Sequence, residues 1–339
     1  MTTRAPSRVE TPSYSFYVNA SNPELIRRAA ILSGSVTVRG RAGPRVIEQV
    51  KLREDIEVTF DLAAYEKPGF TEHLETWLER QRIASAKRIL TPGRWIESSK
   101  DSGYFRQELH DEVSRVDAID GTDAVLLFAV HHHWLTRHAD AVASALGELA
   151  RPAALVLGHK GDPLSVGGAV DGMIHITKRV SNLSLLRIDH GGIGGVAFGA
   201  VHASFGLRAG NRHVVPPGKS AWGKPYDSSA RLFVKDKLDW FTALTIAGWA
   251  TAEVPENCDL ECCDGKPLSR FLDNRLALDA EHHNMIALAD VASYIVNAGP
   301  NERRRLFAEL CKRAVGQYDR LASMGIAPKS QLQAWALWA

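Results

Sequence analysis

The chain has 339 residues, enough to bury the core of one large domain or of two medium-sized ones. Hydrophobic residues make up 45% and charged residues 24%, and the formal net charge is only +2, so any surface that attracts nucleic acid must be local. None of the apolar runs approaches the roughly 18 residues that a membrane span needs, and the N-terminus lacks the apolar core of a secretory signal. We therefore expect a globular cytoplasmic protein.

Short apolar runs alternate with helical stretches along most of the chain. Runs without polar alternation, such as AVLLFAV at 124–130, are typical of strands that are buried on both faces of a parallel sheet. The predicted strands, in chain order, span residues 14–19, 56–65, 88–93, 124–130, 153–158, 183–189, 212–217 and 230–234.

Amphipathic patterns between these strands predict helices, for example FTEHLETWLERQRIASA, FRQELHDEVSRV and RHADAVASALGELA. Strands about 30 residues apart with helices between them indicate βα units. Eight such strands predict an α/β fold of the (β/α)8 TIM type rather than an open doubly wound sheet. The first strand is not followed by GxGxxG, so we do not expect a dinucleotide-binding domain.

After about residue 250 the pattern changes to a cysteine cluster and helices. Three helical runs are predicted there: LSRFLDNRLAL, HHNMIALADVASYIVNA and ERRRLFAELCKRAVGQYDRLASM. The sequence thus predicts a barrel over residues 1–250 and a C-terminal helical zinc-binding lobe over residues 251–339.

Polar residues directly after the predicted strands are the candidate site residues, because a parallel barrel carries its active site at the carboxyl ends of its strands. Asp61 and Asp189 each end an apolar strand, and each either takes part in chemistry or caps the following helix. The other candidates are Arg94, Trp95, His131, His132, His133, His159, Lys160, Asp162, His190 and His213.

Two features of this rim have competing interpretations. The histidine run at 131–133 could bind a cation, but consecutive residues at a strand end are expected to point in different directions, which favours histidines that only form hydrogen bonds. The loop DHGGIGG contains Gly191 and Gly192, whose N–H groups could cradle an anion or lie against a planar ligand. Glycines also serve close strand–helix packing.

The segment 216–237 combines five lysines or arginines with Trp222 and Tyr226. Such a mixture is what a loop that follows phosphates and stacks on bases requires, although many solvated loops share it. Lys219, Trp222 and Lys224 are the candidate substrate contacts in this segment.

Three of the four cysteines, Cys258, Cys262 and Cys263, lie within six positions, which does not suggest a disulfide framework. The C-x₃-C or C-x₄-C spacing can direct two thiolates at one ion, and His282 or His283 can complete the set of four ligands that zinc prefers. Three reduced thiols packed under a helix are the alternative, and a redox centre is disfavoured because the chain has no C-x-x-C. We predict a structural zinc ion.

This region resembles the zinc-binding end of the tRNA-guanine transglycosylase superfamily, whose pattern is C-x-C-x-x-C, a helix, and then histidine followed by asparagine. Cys258 and Cys263 stand at the spacing of the first and third cysteines, and Cys262 can substitute for the missing middle one. HHN at 282–284 is similar to the His-Asn pair, which implies that His283 is the fourth ligand.

The resemblance extends upstream. Residues 192–217 are similar in length and spacing to the family's penultimate helix and final barrel strand, and ARLFV at 230–234 resembles its strand after the nucleophile loop. Matched through the proline that closes the first segment, the family's nucleophilic aspartate falls on His213. The family's Asp-Ser-Gly base-recognition motif is not recognisable, and Asp61 or Asp189 could replace it.

The resemblance implies a barrel enzyme that replaces guanine by a 7-deazaguanine base in DNA or tRNA. An aspartate attacks the anomeric carbon of the ribose, a second carboxylate handles the proton, and the target nucleotide leaves its stack. In this chain Asp189 or Asp61 would take the nucleophile's role. The implied partners are a nucleic acid, the 7-deazaguanine base and a second subunit in a homo- or heterodimer.

Two other interpretations remain open. A catalytically inactive partner subunit, like the non-catalytic subunit of the eukaryotic queuine-inserting enzyme, would keep the fold and the zinc ion, and His213 at the matched position favours it. A TIM-barrel enzyme of another class would use the histidine-rich rim to bind a metal or a phosphorylated small molecule. The chain ends soon after the zinc lobe, which mildly favours DNA, or a tRNA bound through a dimer partner.

Overall fold

The computed structural model describes residues 12–67, 73–119, 123–220 and 228–339. Its main feature is a sheet of parallel strands: β1 Ser13–Asn19, β2 Ser35–Arg39, β3 Glu57–Asp61, β4 Arg94–Ile96, β5 Leu126–His131, β6 Ala153–Gly158, β7 Leu183–Ile188 and β8 His202–Gly206. The strands are hydrogen-bonded in the order β3-β2-β1-β8-β7-β6-β5-β4. Every pairing between them is parallel.

The sheet curls until its two outer strands meet through the residues just before β4. The backbone N–H of Lys87 donates to the carbonyl of Val58 at 2.8 Å, and Thr59 forms a parallel bridge with Arg88. With helices in the connections between the strands, this arrangement confirms the predicted (β/α)8 TIM-type fold.

Helices cover the outside of the sheet. The described helices are α1 Pro23–Ser33, α2 Gly43–Val50, α3 Leu74–Ile83, α4 Gly103–Asp117, α5 His133–Thr136, α6 Ala139–Gly147, α7 Ala169–Arg179, α8 Gly191–Ala197, α9 Ala243–Ala247, α10 Ala277–Val296, α11 Arg303–Gly316 and α12 Ser330–Ala336. No helix in the described part of the chain is long and apolar enough to cross a bilayer.

A small lobe lies between β8 and α10 along the chain. This lobe contains an antiparallel hairpin, β9 Arg231–Val234 and β10 Asp239–Thr242, and the cysteine cluster. Helix α10 then packs against α1 and α8, so it covers the barrel beside β1 and β8, while α11 and α12 pack on each other and on α8 and α7. The boundary expected at residue 250 stays a prediction.

The first helix illustrates how local sequence sets the ends of an element. The side chain of Asn22 accepts a hydrogen bond from the N–H of Leu25 at 3.2 Å, and Pro23 supplies a pre-formed first helical residue. At the other end Gly34 has φ 68°, a left-handed conformation that glycine adopts without steric cost. Helix α1 therefore begins and ends where its capping residues stand.

Alternate residues of the strands fill two different cores. Residues such as Phe128 and Leu155 pack against the surrounding helices. Leu127, Ala154 and Leu186 point the other way and form a separate cluster inside the barrel. The continuous apolar runs in these strands therefore reflect burial on both faces, as predicted.

The barrel interior also contains a hydrogen-bonded polar layer near the amino ends of β1 and β8. The Ser15 hydroxyl lies 3.0 Å from the Thr37 hydroxyl, 3.0 Å from Nε2 of His202 and 2.9 Å from the Ser204 hydroxyl. These four side chains are buried, and their mutual hydrogen bonds offset the cost of removing them from water.

Two of the predicted barrel strands are wrong, and a third is displaced, because residues 88–93 form only isolated bridges at Arg88 and Leu90 while β4 spans Arg94–Ile96. The segment 212–217 contributes a single bridge between Val214 and Gly158, and 230–234 belongs to the antiparallel hairpin of the lobe. The barrel positions are taken instead by β2 and β8, whose sequences SVTVR and HASFG were not predicted as strands. The inward residues of these two strands belong to the polar layer, so neither shows an apolar run.

Two helical predictions also need correction. The helix that the resemblance implies at the start of residues 192–217 ends at Ala197, and the chain then forms β8. The run LSRFLDNRLAL forms 3₁₀ turns over Leu268–Leu272 and Asn274–Leu276 instead of a helix. The last barrel strand is thus 202–206, not the segment that contains His213.

Candidate functional site

The three clustered cysteines converge on one histidine of α10. Nδ1 of His283 lies 3.8 Å from Sγ of Cys258, 3.9 Å from Sγ of Cys262 and 3.2 Å from Sγ of Cys263, and the last two sulfur atoms are 3.7 Å apart. Backbone hydrogen bonds close the turns between Cys258 and Lys266, and these turns bring the three thiols together. Cys258, Cys263 and His283 form a group that can hold a metal ion.

The contacts around this metal-binding group orient its ligands. Nε2 of His283 lies 3.1 Å from the carbonyl oxygen of Phe233, which can only accept, so Nε2 carries the proton and Nδ1 keeps its lone pair toward the sulfurs. The guanidinium of Arg270 donates to Sγ of Cys263 at 3.0 Å and offsets negative charge on the thiolates. The charges of Arg28 and Asp279, as well as that of Cys263, act on the neighbouring His282.

Hydrogen bonds from the Cys258 and Cys262 thiols hold the pKa of Cys263 well below its ordinary value. The pKa values of Cys258 and Cys262 are raised, because their thiols donate to Cys263 and are partly buried. This arrangement favours the thiolate form of Cys263, which is the form that binds metal.

Asn284, which follows His283, forms hydrogen bonds with β9, the strand that His283 also contacts. Oδ1 of Asn284 accepts from the N–H of Phe233 at 2.7 Å, and its Nδ2 donates to the carbonyl of Arg231 at 2.8 Å. His283 and Asn284 therefore both hold the backbone of β9 by hydrogen bonds, a contact that we call the clasp on β9. This contact accounts for an asparagine at position 284.

The carboxyl end of the barrel contains a second, larger group of polar residues. Asp61, at the end of β3, is fully buried and accepts hydrogen bonds from the hydroxyls of Tyr17 and Tyr65, both at 2.6 Å, and from the N–H of Ala63 at 2.7 Å. Burial raises the pKa of Asp61, although these three donors and the charge of Arg187 act against that rise.

An ion-pair network borders Asp61. Glu66 forms ion pairs with Arg39 and Arg187, and the latter is a buried residue with φ 51° in β7. Burial would raise the pKa of Glu66, but the charges of Arg187 and Arg39 hold it below its ordinary value. Arg39 also donates to Oδ1 of Asn211 at 3.2 Å, which ties β2 to the loop after β8.

Asp189, after β7, is 7% exposed. Its Oδ1 accepts from the N–H of Gly191 at 2.9 Å and its Oδ2 from the side chain of Gln331 at 3.1 Å. Burial would raise its pKa, but the adjacent His190, the Gly191 N–H and Lys329 hold that pKa below its ordinary value. The side chain thus accepts from the first N–H of α8, and its surroundings favour the ionised form.

A second carboxylate shares the amide of Gln331 with Asp189. Asp162, after β6, accepts from Gln331, from the hydroxyl of Ser165 at 2.8 Å and from the N–H of Leu164 at 3.0 Å. Burial and the charge of Asp189 raise the pKa of Asp162 to about 7. One of the two carboxylates is therefore close to carrying a proton at neutral pH.

The glycine-rich segment after Asp189, predicted as a loop, forms the start of α8 and is packed inside the protein. A Cβ on Gly191 would lie 2.4 Å from Leu164, and one on Gly192 would lie 2.5 Å from Ile188. His190 is only 1% exposed, and neither of its ring nitrogens has a hydrogen-bond partner. Close packing accounts for both glycines, and substrate contact by His190, Gly191 or Gly192 stays a prediction.

The three consecutive histidines at the end of β5 converge, contrary to the expectation from sequence. Their ring centroids are 4.3 Å apart for His131 and His132, and 4.4 Å for each of the two pairs with His133. The reason is the change from strand to helix within this run, since β5 ends at His131 and α5 begins at His133. Burial lowers the pKa of His131 to about 4 and that of His132 to about 3.

Two more predicted histidines lie near this end of the barrel. The ring of His159, after β6, is 4.4 Å from that of His132, and its Nδ1 accepts from the N–H of Gly161 at 3.2 Å. Burial lowers the pKa of His213 to about 4, with Asp189 acting in the opposite direction. His213 thus lies near Asp189, although not on the last barrel strand.

Four predicted substrate contacts remain. Lys160 and Lys219 are exposed. Trp222 and Lys224 fall outside the described residues. The substrate roles assigned to these four residues stay predictions.

Several members of the site were not predicted. Arg187 gave a signal, because it is a charged residue inside the apolar run LSLLRID. Tyr17 and Tyr65 carried no such signal, since aromatic residues in strands are ordinary core residues. Gln331 comes from α12 and reaches a carboxylate 142 positions earlier in the chain, a contact that no local pattern reveals.

Comparison with known proteins adds little to this geometry. No family model and no curated protein sequence matches the chain. Among solved structures, the chain is similar to two mutant tryptophan synthase α-subunits from the hyperthermophile Pyrococcus furiosus, with TM-scores of 0.38 and 0.35. Each is 9% identical and covers 59% of this chain and 89% of its own. At this level of similarity the fold rests on the strand order alone.

Proposed function

We propose that the chain is a divergent base-exchange transglycosylase, which replaces guanine by a 7-deazaguanine base in DNA or tRNA. The observation that carries this proposal is the placement of two buried aspartates at the carboxyl end of the barrel, Asp189 after β7 and Asp61 at the end of β3, in environments that shift their pKa values in opposite directions. The pKa of Asp189 is lowered and that of Asp61 is raised. Base exchange needs an ionised nucleophile and a separate proton carrier, and environments that push two pKa values apart supply them.

In the proposed reaction an oxygen of Asp189 forms a bond to the anomeric carbon while the bond to N9 of guanine breaks. The electron pair of that bond leaves with guanine, which takes a proton from Asp61. The incoming base returns its N9 proton to Asp61 and displaces the Asp189 ester. Gln331 is a positioning residue, because it donates to Oδ2 of Asp189.

The electrostatics of an adjacent cleft support a nucleic-acid substrate. A cleft of about 510 Å³ lies at the carboxyl ends of β1, β2 and β3 and is lined by Arg39, Arg41 and Lys67 as well as Glu66. Cations at the edge of a site bind phosphates and so fix the position of the strand. The base would then reach the barrel after leaving its stack.

The ion proposed for the Cys/His group is zinc, held by Cys258, Cys262, Cys263 and His283. Zinc bonds of about 2.3 Å to sulfur and about 2.1 Å to nitrogen place tetrahedral ligands about 3.5–3.8 Å apart. The four distances in the group run from 3.2 to 3.9 Å. When bound, the zinc ion would supply folding free energy to the lobe.

The test is exchange of labelled guanine into unfractionated tRNA and into duplex DNA. We expect incorporation into one of the two by the wild-type protein and its loss in Asp189→Asn. Asp61→Asn should be slower by a factor of about 10²–10⁴, the usual contribution of a proton carrier. Asp171→Asn, an exposed carboxylate on α7, is the matched control and should keep the wild-type rate. Full activity in Asp189→Asn would contradict the assignment.

A second candidate function is a catalytically inactive subunit that binds nucleic acid beside an active partner. The observation that favours it is the end of the last barrel strand, since residues 206–220 contain no aspartate or glutamate. Binding of tRNA or DNA without exchange, with exchange restored only by another subunit, would favour this candidate.

A further inference from the structure

The histidine cluster at the end of β5 is not used by the proposed reaction. We infer that His131, His132 and His133 form a second metal site, which holds one divalent transition-metal ion in addition to the ion of the Cys/His group. The inference does not depend on the proposed base exchange. It rests on the geometry of the rings, on the burial of one of them and on their position in the barrel.

The first observation is the distance between the candidate ligand atoms. One ring nitrogen from each of the three histidines lies within 4.8 Å of the others. Histidine nitrogens bound to one ion at about 2.1 Å are roughly 3–4 Å apart, so small rotations of the rings would complete the site. Ligation through Nδ1 of His131 would replace only a long hydrogen bond, 3.3 Å, from the N–H of His133.

The second observation concerns His132 alone. This side chain is 8% exposed, and its Nδ1 is buried without a hydrogen-bond partner. A buried polar atom without a partner is costly to keep, so it calls for an explanation. A metal ion at Nδ1 would remove that cost.

The surroundings of the three histidines fit a metal site with one open coordination position. The charge of Glu97 acts on both His131 and His133 and favours a cation there, while Arg137 opposes it. His159 lies beside His132, but its Nδ1 already accepts from Gly161, which leaves it as an orienting neighbour. Trp95 packs its edge toward His131 and forms one wall.

The donor set defines the class of ion and its use. Imidazole nitrogens suit Zn²⁺, Co²⁺, Ni²⁺ or Cu²⁺ rather than Mg²⁺ or Ca²⁺. Three histidines leave a fourth position for water or a substrate oxygen, which is the pattern of catalytic rather than structural sites. The cluster stands at the carboxyl end of the barrel, where such an open position would face a substrate.

The experiment measures bound Co²⁺ in the full chain without an affinity tag. Metal per chain is determined by elemental analysis after gel filtration, and the absorption spectrum distinguishes thiolate from all-histidine coordination, because only thiolate ligands give an intense sulfur-to-cobalt charge-transfer band. The test variant is His131→Gln/His133→Gln, which keeps the buried His132. The matched control is His73→Gln/His110→Gln, since both of these histidines are exposed.

We expect two ions per chain in the wild type and in the control, and one in the test variant, with its thiolate band unchanged. The dissociation constant of the second ion should rise more than about tenfold in the test variant, since even outer-shell changes cost that much. One ion per chain in the wild type would overturn the inference. So would two ions in the test variant. If the test variant fails to fold, the wild-type stoichiometry and a visible Co²⁺ spectrum beyond that of the thiolate site still decide.

Discussion

The Cys/His group of the lobe and the carboxyl end of the barrel differ in how far their polar side chains find hydrogen-bond partners within the protein. In the lobe, His283 and Asn284 satisfy the backbone of β9, and Arg270 contacts Cys263. At the barrel end, several buried side-chain atoms of the described residues have no hydrogen-bond partner in the protein: His132 Nδ1, Arg187 Nε and both ring nitrogens of His190. The lobe also contains such atoms, Nε1 of Trp240 and of Trp249 and Oε2 of Glu256, but none of them belongs to the Cys/His group.

This difference separates a structural site from a reactive one. Groups whose contacts are all supplied by the fold contribute mainly to folding free energy. Buried groups without protein partners are costly to keep, and such groups are common where a ligand or ion supplies the missing contact. The lobe is therefore expected to dominate stability, while changes at the barrel end should alter binding or pH response more than folding.

The largest expected effect is on the lobe. Cys263→Ser removes a ligand of the metal-binding group, and we expect the free energy of unfolding to fall by more than about 4 kcal/mol, because metal binding is part of folding. Chemical denaturation with and without a chelator measures it. Cys311→Ser is the matched control: this cysteine is buried outside the group, and its replacement should cost about 1–2 kcal/mol while metal content stays constant. Equal effects of the two substitutions would contradict the comparison.

The clasp on β9 should have the next largest effect. Asn284→Ala leaves the N–H of Phe233 and the carbonyl of Arg231 without their partner, at an expected cost of about 2–3 kcal/mol. Asn297→Ala, at the exposed end of the same helix, should change stability by less than about 0.5 kcal/mol. Urea unfolding of both variants decides, and a cost below 1 kcal/mol at Asn284 would show that the clasp does not stabilise the lobe.

A glycine of α8 tests whether the glycine-rich loop is a packing element. A Cβ on Gly194 would lie 2.6 Å from Phe307 and 2.7 Å from Trp335. These rigid rings cannot move away easily, so Gly194→Ala should cost about 1–3 kcal/mol. Gly316→Ala, with no atom within 4 Å of the added carbon, should be neutral or slightly stabilising. If neither Gly194→Ala nor Gly316→Ala changed the melting temperature, close packing would not explain the glycines, and contact with a ligand would be favoured instead.

The last prediction concerns a pH slope at the barrel end, which is a change across a pH window rather than a loss of stability at one pH. The pKa of Asp162 rises from 3.8 to about 7 on folding, so the folded state binds more protons than the unfolded state between these values. Stability from this group is therefore present below about pH 4 and is lost as pH rises toward 7. Asp162→Asn should flatten the stability profile over that window, and Asp171→Asn should not. A wild-type slope retained in Asp162→Asn would contradict the assigned pKa.

The sequence predicted the barrel because strands such as AVLLFAV are buried on both faces and therefore lack polar alternation. It missed β2 and β8 because their inward residues, Thr37, His202 and Ser204, form a polar layer and break the apolar run. Val214 misled the strand prediction for the opposite reason: it fills the barrel interior as a single residue bridged to β6.

For the site, too, the features that could be predicted are those that depend on local sequence. The cysteine spacing is local, so the meeting of the three thiols with His283 could be predicted from the sequence. The convergence of His131, His132 and His133 was missed because it depends on the residue at which β5 becomes α5. The bond of Gln331 to Asp189 joins α12 to the end of β7, and such long-range contacts follow from packing that no motif encodes.

The most direct test of the division between lobe and barrel end is thiol titration of the native, tag-free protein. Cys258 and Cys262 are half-buried, so a thiol reagent can reach them when no metal is bound, whereas metal ligation should block them together with Cys263. We predict that no more than a trace of thiol reacts until a chelator is added, and that three thiols per chain then react while the metal is released. Three thiols that titrate at once without a chelator would show that the cluster is not a metal site.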